Sequence, residues 1–261
     1  TSANNIAKWD GSAWSALSSG VNDFVFAIAL LGTDVYVGGH FWIAGTDSVN
    51  HIAKWNGTNW SGLGSGLFGD DVYALAFNGG DLYAGGEFTG YVSGFVFHAA
   101  RNIAKWNGGW SAVGAGTNKG VAAISCRGTD VFVAGKFDSA GLASAKHVAK
   151  WNGSSWSNLA SGTDGSVYSL AASATDLYAG GAFVTAGGLG ALRLSRWNGT
   201  NWSSLGDGID MFGYVQAVVS SGTEVYAGGF FQTPGGVSAG HIAKWDGSSW
   251  SPLGTGTDYT V

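Results

Sequence analysis

His51-Ile52-Ala53-Lys54-Trp55-Asn56-Gly57-Thr58-Asn59-Trp60-Ser61-Gly62-Leu63 contains two short strand-like runs joined by a turn. Asn-Gly tolerates the positive φ that a tight hairpin requires. The same cassette, marked by its first Trp, recurs at Trp9, Trp55, Trp106, Trp151, Trp197 and Trp245, with spacings of 46, 51, 45, 46 and 48 residues. A period in the forties in a β-rich chain predicts propeller blades.

Two further runs complete each period. Run a covers residues 72–77, with equivalents starting at Val25, Val121, Val167 and Val215. Run b covers residues 81–88, with equivalents starting at Asp34, Asp130, Asp176 and Glu224. The Ile-Ala-Lys-Trp segment is run c, and run d opens with the second Trp. Alternation and β-branched or aromatic content predict short strands, joined as an antiparallel meander a-b-c-d. Such a sheet buries both faces only by stacking radially against its neighbours. Small residues in run a (Ala27, Ala74, Ala123, Ser169, Ala217) suit a crowded inner strand, and the Gly pair in run b lets sheets approach closely.

Composition agrees. The 261 residues include 46 Gly, 13 Trp and 2 Pro, with only 11% charged residues. Collagen needs Gly at every third position and much Pro, and Gly-rich disorder would lack the Trp and aliphatic content. The net charge of −5, without a basic cluster, argues against nucleic-acid binding. Cys126 stands alone, which excludes an internal disulfide and a Cys-based zinc site. Apolar runs are interrupted every few residues, so no membrane insertion is expected. The chain begins in mid-pattern, which is compatible with a trimmed or processed segment.

Tyr83-Ala84-Gly85-Gly86 with Trp60 and Leu63, and Tyr226-Ala227-Gly228-Gly229 with Trp250 and Leu253, resemble the kelch repeat. The Asn-Gly-x-x-Trp variant is also similar to propeller repeats of fungal cortical polarity markers and of bacterial secreted repeat proteins. The resemblance covers essentially the whole chain and implies a propeller. It implies no particular chemistry, because such rings serve both enzymes and adaptors.

The expected fold is all-β: a single propeller domain over residues 1–261, built from repeats of about 47 residues. Runs a and b occur five times and runs c and d six times, the extra c-d pair lying at residues 5–19. The inventory is five full blades plus a half-blade, with residues 258–261 reading as the start of another run a. A six-position ring with a shared, incomplete blade is favoured. A five-bladed ring with a displaced hairpin, or a slice of a longer array, are the alternatives. An unpaired half-blade exposes a strand edge and invites self-association or partner pairing.

Features in every copy are read as scaffold, and features that differ as freer to carry function. The twelve paired Trp are read as inter-blade packing, with a ring of sugar-stacking platforms as the alternative. The recurrent Lys or Arg of run c (Lys8, Lys54, Lys105, Lys150, Arg196, Lys244) is expected to pair with the acid opening run b. The Phe ending run b is read as core. Two positions vary freely beside the b-c loop: the residue before that Phe (His40, Glu87, Lys136, Ala182, Phe230) and the residue opening run c (Asn5, His51, Asn102, His147, Arg193, His241).

The b-c and d-a loops of a meander emerge on one face. The second b-c loop has fourteen residues where the others have ten, and the first contributes Trp42, the one Trp outside the paired set. The candidate ligand-binding patch is therefore Trp42, Tyr91, Phe95, Phe97 and His98. The alternative is that the longer loop packs on itself. Met211 and Phe212 could extend the patch. Neither a metal site nor a cofactor is expected: the His residues lack ligand spacing, and no loop is dense in Asp. No catalytic residues are assigned. Copper-radical oxidase, sialidase, Ser-His-Asp and phosphate-loop patterns are absent. A glycosidase would need a carboxylate pair, for which Glu87 with Asp138 or Asp70 is the only candidate. The expected function is a non-catalytic binding or adhesion module, extracellular or on the cell surface, recognising glycan or protein through one loop face. The alternatives are a structural subunit completed by half-blade pairing, or a hydrolase using Glu87.

Overall fold

The computed structural model describes residues 2–258, so Tyr259 to Val261, the bulk of the expected further run a, lie outside the described residues. Among the described residues there is no α-helix; one 3-10 turn, Pro234–Gly236, is the sole helical element. The chain falls into two compact units, residues up to Val121 and residues from Ala122 onward.

The first unit opens with a two-stranded half-sheet, Ala7–Trp9 paired with Trp14–Ala16. A first full sheet follows in the order Val25–Leu31, Asp34–Gly39, Ile52–Trp55, Trp60–Gly62. The second has the same order, Phe68–Asn78, Asp81–Ser93, Ile103–Trp106, Trp110–Ala112, with an additional strand Val96–Ala99 on the far end of its b-strand. The second unit carries the third, fourth and fifth sheets, each a four-stranded antiparallel meander. These are the blades of a propeller-like repeat: five complete sheets and a half among the described residues.

The stacking chemistry is uniform. The Phe ending each b-strand (Phe41, Phe88, Phe137, Phe183, Phe231) is at most 2% exposed. Burying each such side chain stabilises the fold by about 1.5–3 kcal/mol. The d-strand Trp reaches back to the preceding sheet. The indole N–H of Trp60 donates to the Leu17 carbonyl at 2.8 Å and that of Trp110 to Leu63 at 2.7 Å. In the second unit Trp202 donates to Leu159 at 2.9 Å and Trp250 to Leu205 at 3.0 Å. The paired Trp therefore serve packing, as read from the sequence, except at the half-sheet, where Trp9 and Trp14 are 49% and 59% exposed.

The two Gly of run b have separate duties. A Cβ on Gly38 would lie 2.5 Å from Val72 of the next sheet, and one on Gly180 2.5 Å from Val215. A Cβ on the second Gly would meet its own a-strand carbonyl: Phe24 at 2.0 Å from Gly39, and Asp71 at 1.9 Å from Gly86. The register slips there, for example between Val25 and Ala27, as at a β-bulge.

The expected ion pairs form within each sheet. Lys54 meets Asp34 at 2.6 Å, Lys105 meets Asp81 at 2.8 Å, and Lys150 meets Asp130 at 3.3 Å. Arg196 meets Asp176 and Lys244 meets Glu224, each at 2.9 Å. All of them are partly exposed, so solvent screening keeps each pair weak.

Replacing Trp202 by Phe keeps an aromatic ring but removes the indole N–H and strands the buried Leu159 carbonyl. Denaturant titration should show a loss of about 1–3 kcal/mol, against a change within about 0.5 kcal/mol for Trp14→Phe at its exposed site. Gly180→Ala should cost about 1–3 kcal/mol by overpacking Val215 and Val218.

Candidate functional site

The loops between b- and c-strands are built structures. In the first, third and fourth sheets each loop folds into a small hairpin: Ile43–Ala44 with Asp47–Ser48, Ser139–Ala140 with Ala143–Ser144, and Thr185–Ala186 with Leu189–Gly190. The Asn22 side-chain oxygen accepts from Trp42 N and Ile43 N at 3.1 and 2.9 Å. The Asp164 carboxylate accepts from Val184 N and Thr185 N at 2.8 and 2.9 Å. Asp210 caps Gln232 N and Thr233 N in the fifth sheet. The loops of the first, fourth and fifth sheets are thus moored to the d-a loop that precedes their own sheet.

The residue opening run c is not free to vary. Asn5, His51, Asn102, His147, Arg193 and His241 all adopt positive φ, between 59° and 74°. Asn and His are among the non-glycine residues that tolerate this region. Several also tie down the following d-a loop. Asn5 Nδ2 donates to Val21 O and Asn102 Nδ2 to Thr117 O, both at 2.8 Å. His147 Nδ1 lies 2.9 Å from Thr163 O. Variation at this position reflects backbone geometry and loop mooring, which corrects its reading as freely varying.

The second sheet carries the first half of the candidate patch. Asp81–Ser93 and Val96–Ala99 form a regular hairpin, pairing Tyr91 with His98, Val92 with Phe97 and Ser93 with Val96. Gly94 and Phe95 form the turn, both at positive φ. Phe95 is fully exposed, Val96 is 56% and Phe97 53% exposed. Strand alternation puts Phe97 on one face, leaning over Gly90, and Tyr91 with His98 on the other. His98 is exposed and stacks on Tyr91 at 5.2 Å. Tyr91 itself is only 9% exposed and belongs to the core with Leu67 and Phe88, so its expected place in an open aromatic patch is corrected: the pleat turns it inward. Ser65 clamps the hairpin, its hydroxyl donating to Val92 O at 2.8 Å and accepting from Val92 N at 3.0 Å. The longer loop therefore packs on one face and displays the other.

Trp42 is 47% exposed on the first sheet's loop, edge-on to His40 at 5.9 Å. Among the described residues no ring contact joins it to the Phe95 hairpin. It borders a different cluster. His40 Nδ1 pairs closely with Asp71, and Asp70 stands alongside; one ligand atom from each of the three lies within 4.8 Å of the others. Asp71 is 9% exposed. The Tyr73 phenol is pushed up to about 12 by its burial and by the nearby carboxylates of Glu87, Asp71 and Asp70. Among the described residues, His40, Asp70 and Asp71 form the one cluster of three such groups close enough to share a cation. Sequence reading identified His40 and Asp70 separately, but His40 and Asp71 are 31 residues apart and meet only because successive sheets stack.

In the second unit, Met211 and Phe212 are 62% and 91% exposed. They border a cavity of about 420 Å³ shared with Asp210, Phe230 and Thr233. Phe230 is stacked between Tyr214 at 5.8 Å and His241 at 6.0 Å. Cys126 is half-buried and its thiol is pushed up to about 11 by burial, which makes it a poor nucleophile.

The Asp71 hydrogen bond, and then its charge, raises the His40 pKa above its ordinary 6.5. The ion pair stabilises the folded chain fully below the unfolded imidazole's range, and that contribution is lost as pH rises through the raised folded value. An NMR titration should find His40 above its ordinary value in the native chain and back near it in Asp71→Asn.

No protein-family model matches the chain, and no curated protein matches it. Among solved structures, the chain is similar to the crystal structure of the computationally designed Ika8 protein, at 16% identity and a TM-score of 0.51, over 88% of this chain and 74% of that one. The likeness at this identity is one of fold.

Proposed function

We propose that the chain is a kelch-like propeller-repeat module of the cell exterior, non-catalytic, which binds a protein surface through its b-c and d-a loops. The observation that carries this reading is the hairpin tip formed by Phe95, Val96 and Phe97. Phe95 is exposed at the turn and Phe97 and Val96 on the two faces beside it, all on a strand pair that is itself clamped to the core. Aromatic anchors on a rigid support bind with little ordering cost, and they dominate protein–protein hot spots. The kelch resemblance supports a scaffold role, and the likeness to secreted repeat proteins supports an exterior location.

A second reading, glycan binding, is favoured at Trp42. Its half-exposed indole lies beside His40 and the Asp70–Asp71 pair, an aromatic platform next to hydrogen-bonding groups.

A screen of displayed protein ligands and a glycan array, run with the native chain, Phe95→Ala and Trp42→Ala, separates the two. Phe95→Ala should weaken protein capture by at least 2 kcal/mol or so, the loss of one hot-spot residue, with the melting temperature unchanged. Trp42→Ala should act on glycan capture alone. Capture unchanged in both variants removes the patch.

A further inference from the structure

Asp70 and Asp71 are consecutive residues of one strand, and a regular strand sends consecutive side chains to opposite faces. The second sheet breaks that rule. Its a-strand Phe68–Asn78 pairs Val72 with Gly86 and Gly69 with Phe88, so Asp70 and Asp71 together oppose the single residue Glu87. A two-against-one count is a β-bulge, and the bulge re-aims the side chains so that both carboxylates reach one cluster. This a-strand has 11 residues where the others have 6 to 8, so the extra pairing belongs to the second sheet alone.

The first sheet brings an imidazole to the same place. His40 directly follows the strand Asp34–Gly39, and its Nδ1 pairs with Asp71. At the equivalent positions of the later sheets stand Glu87 and Gly120, Lys136 and Ser166, Ala182 and Tyr214. The repeat builds its other blades without an imidazole set against two acids, so the combination is not part of the scaffold. One ligand atom from each of the three residues lies within 4.8 Å of the others. Around an ion bound at zinc-like distances, tetrahedral ligand atoms are about 3.4 Å apart, so a small contraction brings the three into position. Two carboxylates and a neutral imidazole carry the charge that a divalent ion cancels. Asp71 is buried while Asp70 is exposed, which gives the cluster a floor and an open mouth.

A second imidazole stands beside the first. The ring centroids of His51 and His40 are 6.2 Å apart. His51 Nδ1 is buried without a hydrogen-bond partner, whereas the equivalent His147 Nδ1 lies 2.9 Å from the Thr163 carbonyl. A buried orphan nitrogen is costly unless something pairs with it. Two imidazoles on one ion have centroids at most about 6.4 Å apart, and this pair is within that limit.

We propose that His40, Asp70 and Asp71 bind one divalent ion of the first transition row, of which zinc is the type, with His51 drawn in as the fourth donor. The ion takes the place of the proton between His40 and Asp71 and fastens the first sheet to the second. Imidazole donors favour such an ion over calcium or magnesium, which take oxygen ligands.

The probe is zinc alone, titrated by calorimetry into the whole chain after treatment with a chelator. One ion should bind per chain, calcium should not compete for it, and zinc should raise the thermal midpoint of the native chain. His40→Ala and Asp70→Asn should each weaken zinc by about tenfold or more, and His51→Asn by about tenfold. The repeat itself places Ala182 and Asn102 at the positions of His40 and His51, so these variants keep the fold. Metal-free circular dichroism melts close to that of the native chain verify it. Zinc affinity indifferent to both His40→Ala and Asp70→Asn would overturn the proposal. So would calcium bound as tightly as zinc, or no saturable binding at millimolar zinc.

Discussion

A four-stranded meander with apolar side chains on both faces is soluble only when each face is covered by another sheet. Here the cover is registered by one repeated bond, from the d-strand indole to a carbonyl one sheet back. The bond requires the sheets to approach closely, which the first Gly of each b-strand pair permits at Gly38 and Gly180. It also places the carbonyl in a water-free site where its loss is costly. The buried Phe row follows from sheets held at that spacing, while the ion pairs form between neighbouring strands of a single sheet.

Much of this was legible in the residues. The Trp spacing fixed the repeat, the Asn-Gly and Asp-Gly turns fixed the c-d hairpins, and the recurrent acid and base told which strands are neighbours, because opposite charges at diagonal positions of adjacent strands attract. What escaped the reading depended on conformation or on distance in the chain. His51, His147 and His241 read as variable loop residues, yet they share one left-handed backbone position. Tyr91 and Phe97 read as one aromatic patch, yet an even-numbered separation is what strand alternation needs for one face, and the turn at Gly94 and Phe95 sets them on opposite faces. The meeting of His40 with Asp71 carries no local signal at all.

The candidate surfaces differ in kind. The Phe95 hairpin is apolar and stiff, while the Trp42 corner pairs an indole with an imidazole and carboxylates that already neutralise one another in part. The first suits a flat, dry contact, and the second suits a ligand rich in hydroxyl groups or a cation. Neither sits on a flexible segment, since the surrounding loops are fastened by side-chain acceptors such as Asn22 and Ser65.

The direction of the indole bond bears on how the molecule is made. Trp60, Trp110, Trp202 and Trp250 each bond to a residue earlier in the chain, 43 to 47 positions back. During synthesis on the ribosome, every such acceptor has left the exit tunnel before its donor. The nascent polypeptide can therefore add each new layer onto a finished one, keeping the stretch of unburied apolar chain close to a single repeat in length.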